Sequence, residues 1–376
     1  MPILVDAHED LAWNMLTFGR DPTVSVTETR RREAPTSIAE WNKGECLLGW
    51  PEYQAGQVAV VFATLFAAPA RAKEGDWDVL TYRDASQARR IYRDSLDAYR
   101  RLVDRAPDKF RLIGSRSDLQ GVLEAWQKPL PPAEETEPGQ PPRLAGRPVG
   151  LVILMEGAEA IREPDEVEEW RQGGVRFIGP AWRGNLYTGG TREPGPLTAA
   201  GRALLAAMAA NGLGLDISHM DPPAAFQAVE FYEGTVVASH ANPEALLKGR
   251  DLNRFLPDRL IDALLERDGV IGITPYNVFL DPAWSLSRPD AKQLVGIEVV
   301  ANHIDYVCQR AGDARHAAIG SDFDGGFGAA CTPAEIDSIA DLQLLDARLA
   351  ARGYTPADIA AIFGGNWLRI LERTLP

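Results

Sequence analysis

Ile3-Leu4-Val5-Asp6-Ala7-His8-Glu9-Asp10 is the stretch on which the reading of this chain turns. A short apolar run breaks directly into a cluster of ionisable side chains. Residues two apart on an extended segment point the same way, so His8 and Asp10 can aim one imidazole nitrogen and one carboxylate at a single point. That is half of a metal site. A lone His-x-Asp step is more often the polar end of an edge strand, so the reading depends on partners elsewhere.

Working outward, the same kind of run recurs. Eight short apolar, β-branched segments span Ile3–Asp6, Gln57–Leu65, Gly150–Met155, Val175–Ile178, Gly214–Ser218, Thr235–Ser239, Gly269–Thr274 and Ala317–Ser321. Several are apolar on both faces, as strands covered by helices should be. Between them lie segments of helical spacing: Arg83–Val103, Ser117–Trp126, Thr198–Asn211, Pro222–Tyr232, Pro257–Arg267, Ile297–Ala311 and Ala357–Leu371. Strands alternating with helices indicate βαβ units and a parallel sheet. The expected fold is α/β, a (β/α)8 TIM-type barrel of the metal-dependent hydrolase kind, as one catalytic domain over residues 1–376. Two stretches break the pattern. Lys128–Pro148 holds seven prolines and three glutamates and reads as a solvated excursion. Thr23–Tyr53 reads as a long irregular loop over the active-site face of the barrel.

Composition narrows the function. The chain has 376 residues, 45% of them hydrophobic, enough to bury a large core. Its formal charge of -14 repels a nucleic-acid backbone or an anionic membrane, so neither is an expected partner. Cys46, Cys308 and Cys331 lie far apart, with no C-x-x-C pair, which leaves neither a disulfide framework nor a thiolate zinc cluster. No basic n-region precedes the first apolar run, and no run is long enough to span a bilayer. A cytoplasmic location is expected.

The residues at the ends of the apolar runs give the chemistry. His8 and Asp10 come after the first run, Glu156 after the third, His219 after the fifth, His240 after the sixth and Asp322 after the eighth. Three of only five histidines fall at these positions. In a parallel barrel all strand carboxyl ends open on one face, so these side chains converge. Imidazoles and carboxylates without thiolates suit Zn²⁺ or a similar divalent ion. The set exceeds the three protein ligands of one catalytic zinc, so two ions per chain are expected: His8 and Asp10 on one, His219 and His240 on the other, Glu156 bridging. A water between two such ions ionises near neutral pH and becomes the nucleophile. Asp322, in Gly320-Ser321-Asp322-Phe323-Asp324-Gly325, is assigned proton transfer, while Asp324 reads as a turn residue satisfying backbone amides. His303 and His316 read as structural.

With these motifs in place the chain resembles the membrane (renal) dipeptidases and their bacterial relatives. Further anchors are Gly173-Gly174-Val175-Arg176-Phe177, Leu197-Thr198-Ala199-Ala200-Gly201-Arg202, Gly214-Leu215-Asp216-Ile217-Ser218-His219 and Gly364-Gly365-Asn366-Trp367-Leu368-Arg369. The resemblance implies a barrel with two zinc ions held at His8, Asp10, Glu156, His219 and His240, and proton transfer at Asp322. It also implies that Arg254, in Arg254-Phe255-Leu256-Pro257, holds the free carboxylate of a dipeptide with help from Tyr276, Arg250 being the alternative.

One departure stands out. The family's Thr-His step, whose histidine contacts the scissile peptide, reads Ala181-Trp182-Arg183 here. An indole offers one donor and no exchangeable proton at neutral pH, and a lost oxyanion donor can cost on the order of 10²- to 10³-fold in turnover. Either Arg183 or another donor substitutes, or the substrate is not an ordinary dipeptide; Trp182 would then stack on a larger side chain or simply pack. The expected function is binuclear zinc hydrolysis of the amide bond in a dipeptide-like small molecule. Alternatives are a related hydrolase acting on another amide, lactone or ester, and a catalytically weak metal-binding relative. A homodimer is left open as the assembly.

Overall fold

The computed structural model describes residues 1–129, 146–250 and 252–376, so most of the Pro-rich excursion expected at 128–148 lies outside the described residues. Eight strands succeed one another in chain order: β1 Leu4–Glu9, β2 Val58–Leu65, β3 Val149–Glu156, β4 Val175–Gly179, β5 Gly214–Asp216, β6 Val236–Val237, β7 Ile271–Ile273 and β8 Ala317–Ile319. Sequential neighbours from β1 to β6 pair in parallel, as do β7 and β8. Two single parallel bridges, Ala238 to Ile271 and Glu9 to Phe323, join β6 to β7 and β8 back to β1. The sheet thus curls round on itself. Every residue of β1, β2 and β3 is buried, because helices cover the outside and packed side chains fill the inside.

The boundaries differ from expectation in an informative way. β1 runs on to Glu9, while the last four strands shrink to two or three residues. Beyond β5 and β8 the chain leaves extended geometry: His219 has φ 59° and Asp322 φ 57°. Left-handed backbone costs a side-chain-bearing residue energy and ends a ladder. A further short strand, Phe110–Leu112, pairs with the start of β3, and a two-residue pair, Ala68–Pro69 with Thr81–Tyr82, folds the 66–82 segment beside the barrel mouth.

Two other expectations are corrected. Thr23–Tyr53 is not irregular but carries helices at Val26–Glu33, Ile38–Trp41 and Trp50–Ala55. These are short and polar, so no apolar periodicity announces them. Instead Ser25 caps the first, and Arg20 pairs with Glu33 at 2.7 Å. The segment does reach the mouth, where Lys43 lines the cavity. The helix expected over Ala357–Leu371 widens into a π turn at Ala361–Gly365 between Pro356–Ala360 and Asn366–Thr374. A π turn inserts a residue and re-aims the rest of the helix. Here Asn366 donates to the carbonyls of Ala314 and Ala317 and Trp367 to that of Ile319, tying the helix to β8.

Gly320 is where β8 meets the crowded side of the barrel. A Cβ there would lie 1.8 Å from the Ser239 carbonyl oxygen and 3.2 Å from His240 Cα. Gly320→Ala is expected to destabilise the protein by about 1–3 kcal/mol, the usual range for an overpacked interior site, read as a lowered midpoint in chemical denaturation.

Candidate metal centre

β1 carries His8 into the mouth and Asp10 sits one residue beyond the strand; Glu156 ends β3; His219, His240 and Asp322 come just after β5, β6 and β8. The structure brings all six together. Glu156 lies between the imidazoles. One carboxylate oxygen is 3.3 Å from His8 Nε2, while the other is 3.1 Å from His219 Nε2 and 3.7 Å from His240 Nε2. His219 and His240 face each other, Nε2 to Nε2, at 2.9 Å. Ligand-type atoms of His8, Asp10 and Asp322 form a second close group sharing His8, with Asp322 Oδ1 3.9 Å from His8 Nε2.

The backbone around each group explains its aim. Thr64, at the end of β2, donates its hydroxyl to Asp10. Tyr92 and Tyr99, two turns apart on the helix Ala85–Arg105, donate to the carbonyls of Glu156 and Thr64. Asp216 accepts from the hydroxyls of Ser218 and Ser239 and from the Ser239 backbone N–H. Because the single Ser239 proton goes to Asp216, its oxygen accepts from His240 Nδ1–H at 2.8 Å, which leaves the His240 Nε2 lone pair turned inward. Thr191 sits 2.9 Å from His219 Nδ1 in the same way. Gly325 closes the turn: a Cβ there would lie 2.2 Å from Asp322 Oδ1 and 2.9 Å from Asp10 Oδ2.

The electrostatics reflect the burial of this much charge. Burial raises Asp10, and Glu156 beside it adds to the effect, taking it to about 6. Burial likewise lifts Asp322 well above the usual carboxylate range, with His8 opposing and Asp10 and Glu156 adding repulsion. Burial works against the charge on His8, yet Glu156, Asp10 and Asp322 together raise it to about 10. Burial works against Glu156 too, but His8 and the hydrogen bond from His219 hold it below the usual range. Burial and the nearby Arg254 cation bring His219 down to about 3; burial, His8 and Arg254 keep His240 low. The donors fit a divalent metal on this structure's own terms. His8 Nε2 is buried with no hydrogen-bond partner, and three crowded carboxylates beside it are a donor set whose repulsion a divalent cation would offset.

The expected substrate residues fall into two groups. Tyr276 and Trp182 line a cavity of about 230 Å³ over the centre, together with Asp10, Glu156, His219 and Asp322. Tyr276 stacks on Phe327 with ring centres 4.1 Å apart, and the Trp182 ring lies 6.2 Å from that of His219. Arg254 is buried behind them. It donates to the His240 carbonyl, its Nε has no partner, and burial lowers it to about 10 against the pull of Asp322 and Glu156. Arg250, the alternative, instead donates to three carbonyls of the 281–284 turn. Asp324 accepts from the N–H groups of Leu47 and Leu48, as a turn-satisfying carboxylate should. His303 and His316 sit away from the centre, beside Asn242 and the Gly269 carbonyl. Sequence reasoning missed Thr64, Thr191, Asp216 and Ser239. Only the Ser239-His240 adjacency and the i, i+7 spacing of Tyr92 and Tyr99 were readable signals.

Comparison with known proteins adds four findings. The sequence pattern of the membrane dipeptidases (Peptidase family M19) matches residues 143–375. An uncharacterized protein from the pqqA 5' region of Klebsiella pneumoniae is 31% identical over 236 residues, 60% of this chain and 82% of that protein. Dipeptidase aclJ of Aspergillus oryzae is 32% identical over 177 residues, which is 47% of this chain and only 39% of that longer protein. Among solved structures, a metallo peptidase from Rhodobacter sphaeroides, liganded with a phosphinate mimic of the dipeptide L-Ala-D-Ala, superposes with a TM-score of 0.75 at 23% identity, covering all of both chains. At that identity the likeness establishes the fold.

Acid should compete with metal here, since His8 is protonated at neutral pH without it and must shed that proton to ligate. Zinc affinity, read by chelator competition, is expected to rise about tenfold per pH unit between about pH 7 and 9; a flat profile would contradict the charge state of His8. Ser239→Ala should weaken zinc binding by about 10- to 100-fold by freeing the His240 ring, in the same titration.

Proposed function

The chain belongs to the membrane dipeptidase family, Peptidase family M19, and from that membership we propose that it hydrolyses the amide bond of a dipeptide-like small molecule with a free carboxylate, using a binuclear zinc centre. It is an enzyme of the dipeptidase type. The observation that carries the two-ion reading is the split Glu156 carboxylate, one oxygen toward His8 and the other toward His219 and His240. His8 and Asp10 would hold one ion, His219 and His240 the other, and Glu156 both. Such a pair of ions supplies Lewis acidity at a carbonyl and water ionised near neutral pH. The site residues run from His8 to Asp322, which supports a single catalytic domain over 1–376.

The remaining chemistry belongs to the side chains. Asp322, whose carboxylate lies 3.9 Å from His8 Nε2 and would be kept ionised by the bound cations, accepts the proton of the attacking water and passes it to the leaving amine. Gly325 keeps its carboxylate beside Asp10. Arg254, a buried guanidinium with an unpartnered Nε, binds the free carboxylate of the substrate as a charge-assisted pair. Tyr276, held flat against Phe327, borders the cavity. Trp182, half-buried at the mouth beside His219, shields the centre from water and packs on the substrate.

Three measurements test this reading. Metal analysis should return two zinc ions per chain, and a panel of L,L- and L,D-dipeptides should include substrates; a zinc-loaded protein that cleaves none of them sinks the dipeptidase assignment and leaves the centre to another amide, lactone or ester. Asp322→Asn is expected to retain both ions while kcat falls by about 10²- to 10⁴-fold; unchanged turnover would remove Asp322 from proton transfer. Arg254→Met should raise KM for dipeptides far more than for esters or amides that lack the carboxylate.

A further inference from the structure

Trp182 stands where the resemblance places the family's substrate-contacting histidine, and the zinc chemistry leaves its neighbour Arg183 without a task. Its guanidinium lines the cavity, 4.7 Å from the Trp182 ring centre. Nη1 donates to the Thr191 carbonyl at 2.9 Å, while Nε is buried and has no partner. Arg192 lines the same cavity and is exposed. Its backbone sits at φ 61°, unusual for a long side chain, and is held there by its N–H donating to Asn253 Oδ1 at 2.7 Å.

The carboxylates nearby are already committed. Glu193 pairs with Arg71, and Glu74 pairs with Lys43 at 2.8 Å. Among the described residues, neither Arg183 nor Arg192 has an acidic partner, in a chain with 53 acidic and only 39 basic residues. Two guanidiniums on a cavity wall, close enough for Arg192 to depress the ionisation of Arg183 beyond what burial does, form a receptor for an anion. Arg254 is a separate group, tied to the His240 carbonyl.

We propose that Arg183 and Arg192 form a second anion subsite that receives an acidic side chain, so that the preferred substrates are dipeptides carrying Asp or Glu in addition to the free terminal carboxylate. The proposal rests on the dipeptidase reading for its substrate class. A charged pair there favours Glu over Gln, which has nearly the same shape, so a Glu/Gln comparison isolates charge.

The experiment compares kcat/KM for dipeptides matched except for Glu or Gln at either position, using the zinc-loaded protein. A Glu preference on the order of tenfold or more is expected, shrinking in high salt and approaching one in the Arg183→Gln/Arg192→Gln double variant. Arg192→Gln alone, at an exposed position, provides a second variant should the double variant fold poorly, and it should lose part of the preference. Gln dipeptides cleaved as well as Glu dipeptides, or a preference that persists in both variants, would overturn the subsite. Calorimetric binding of matched phosphinate mimics separates this from the dipeptidase reading. Mimics that bind with Glu preference while no dipeptide is cleaved keep the subsite and overturn the activity. Mimics that bind equally overturn the subsite alone.

Discussion

Three carboxylates, Asp10, Glu156 and Asp322, are forced together at the mouth of the barrel, and most of their surroundings answer to that constraint. Desolvation and mutual repulsion raise Asp10 and Asp322, while His8 and His219 keep Glu156 ionised. The same crowding favours protons on His8 and on Asp322, which a divalent cation would displace. Metal binding and proton release are therefore coupled through the same few ångströms, and the strength of the centre is set by how rigidly the carboxylates are held together.

That rigidity comes from the strand ends. β1 supplies His8 and Asp10, and its Asp6 carboxylate accepts from both the N–H and the hydroxyl of Ser321, fixing the turn that presents Asp322. Asp216 does the same for Ser218 and Ser239 on the far side. Two buried aspartates each clamp serines beside a site residue. The tyrosines of one long helix fasten β2 and β3 from outside, so a helix that is nominally packing also sets the position of Glu156. The left-handed backbone at His219 and Asp322 is tolerated because these bonds over-determine it.

Much of the fold was legible because a parallel barrel writes itself in apolar runs. All eight runs correspond to strands, and the parallel order follows their sequence. The features that escaped were short or polar. The helices between Val26 and Ala55 carry too few apolar positions to register a period, and the π turn at Ala361–Gly365 leaves no mark on a helical pattern. The same division holds at the centre. Histidines and acids at strand ends announce themselves, whereas Thr64, Thr191 and Ser239 are ordinary hydroxyl residues until a ring nitrogen or carboxylate is placed beside them.

The opening stretch, Ile3 to Asp10, shows where the two kinds of information part. Its sequence alone determined that a buried strand ends in metal-type donors, because donor chemistry and the two-residue period are local properties. The alternation along the chain determined that other strand ends meet it. Only the tertiary structure decided that Glu156 turns one oxygen to each side, that Arg254 is buried behind the centre while Arg250 braces a turn, and that Arg183 and Arg192 share one cavity wall. Those are matters of side-chain direction and of which neighbours claim each charge, and no local stretch of sequence specifies them.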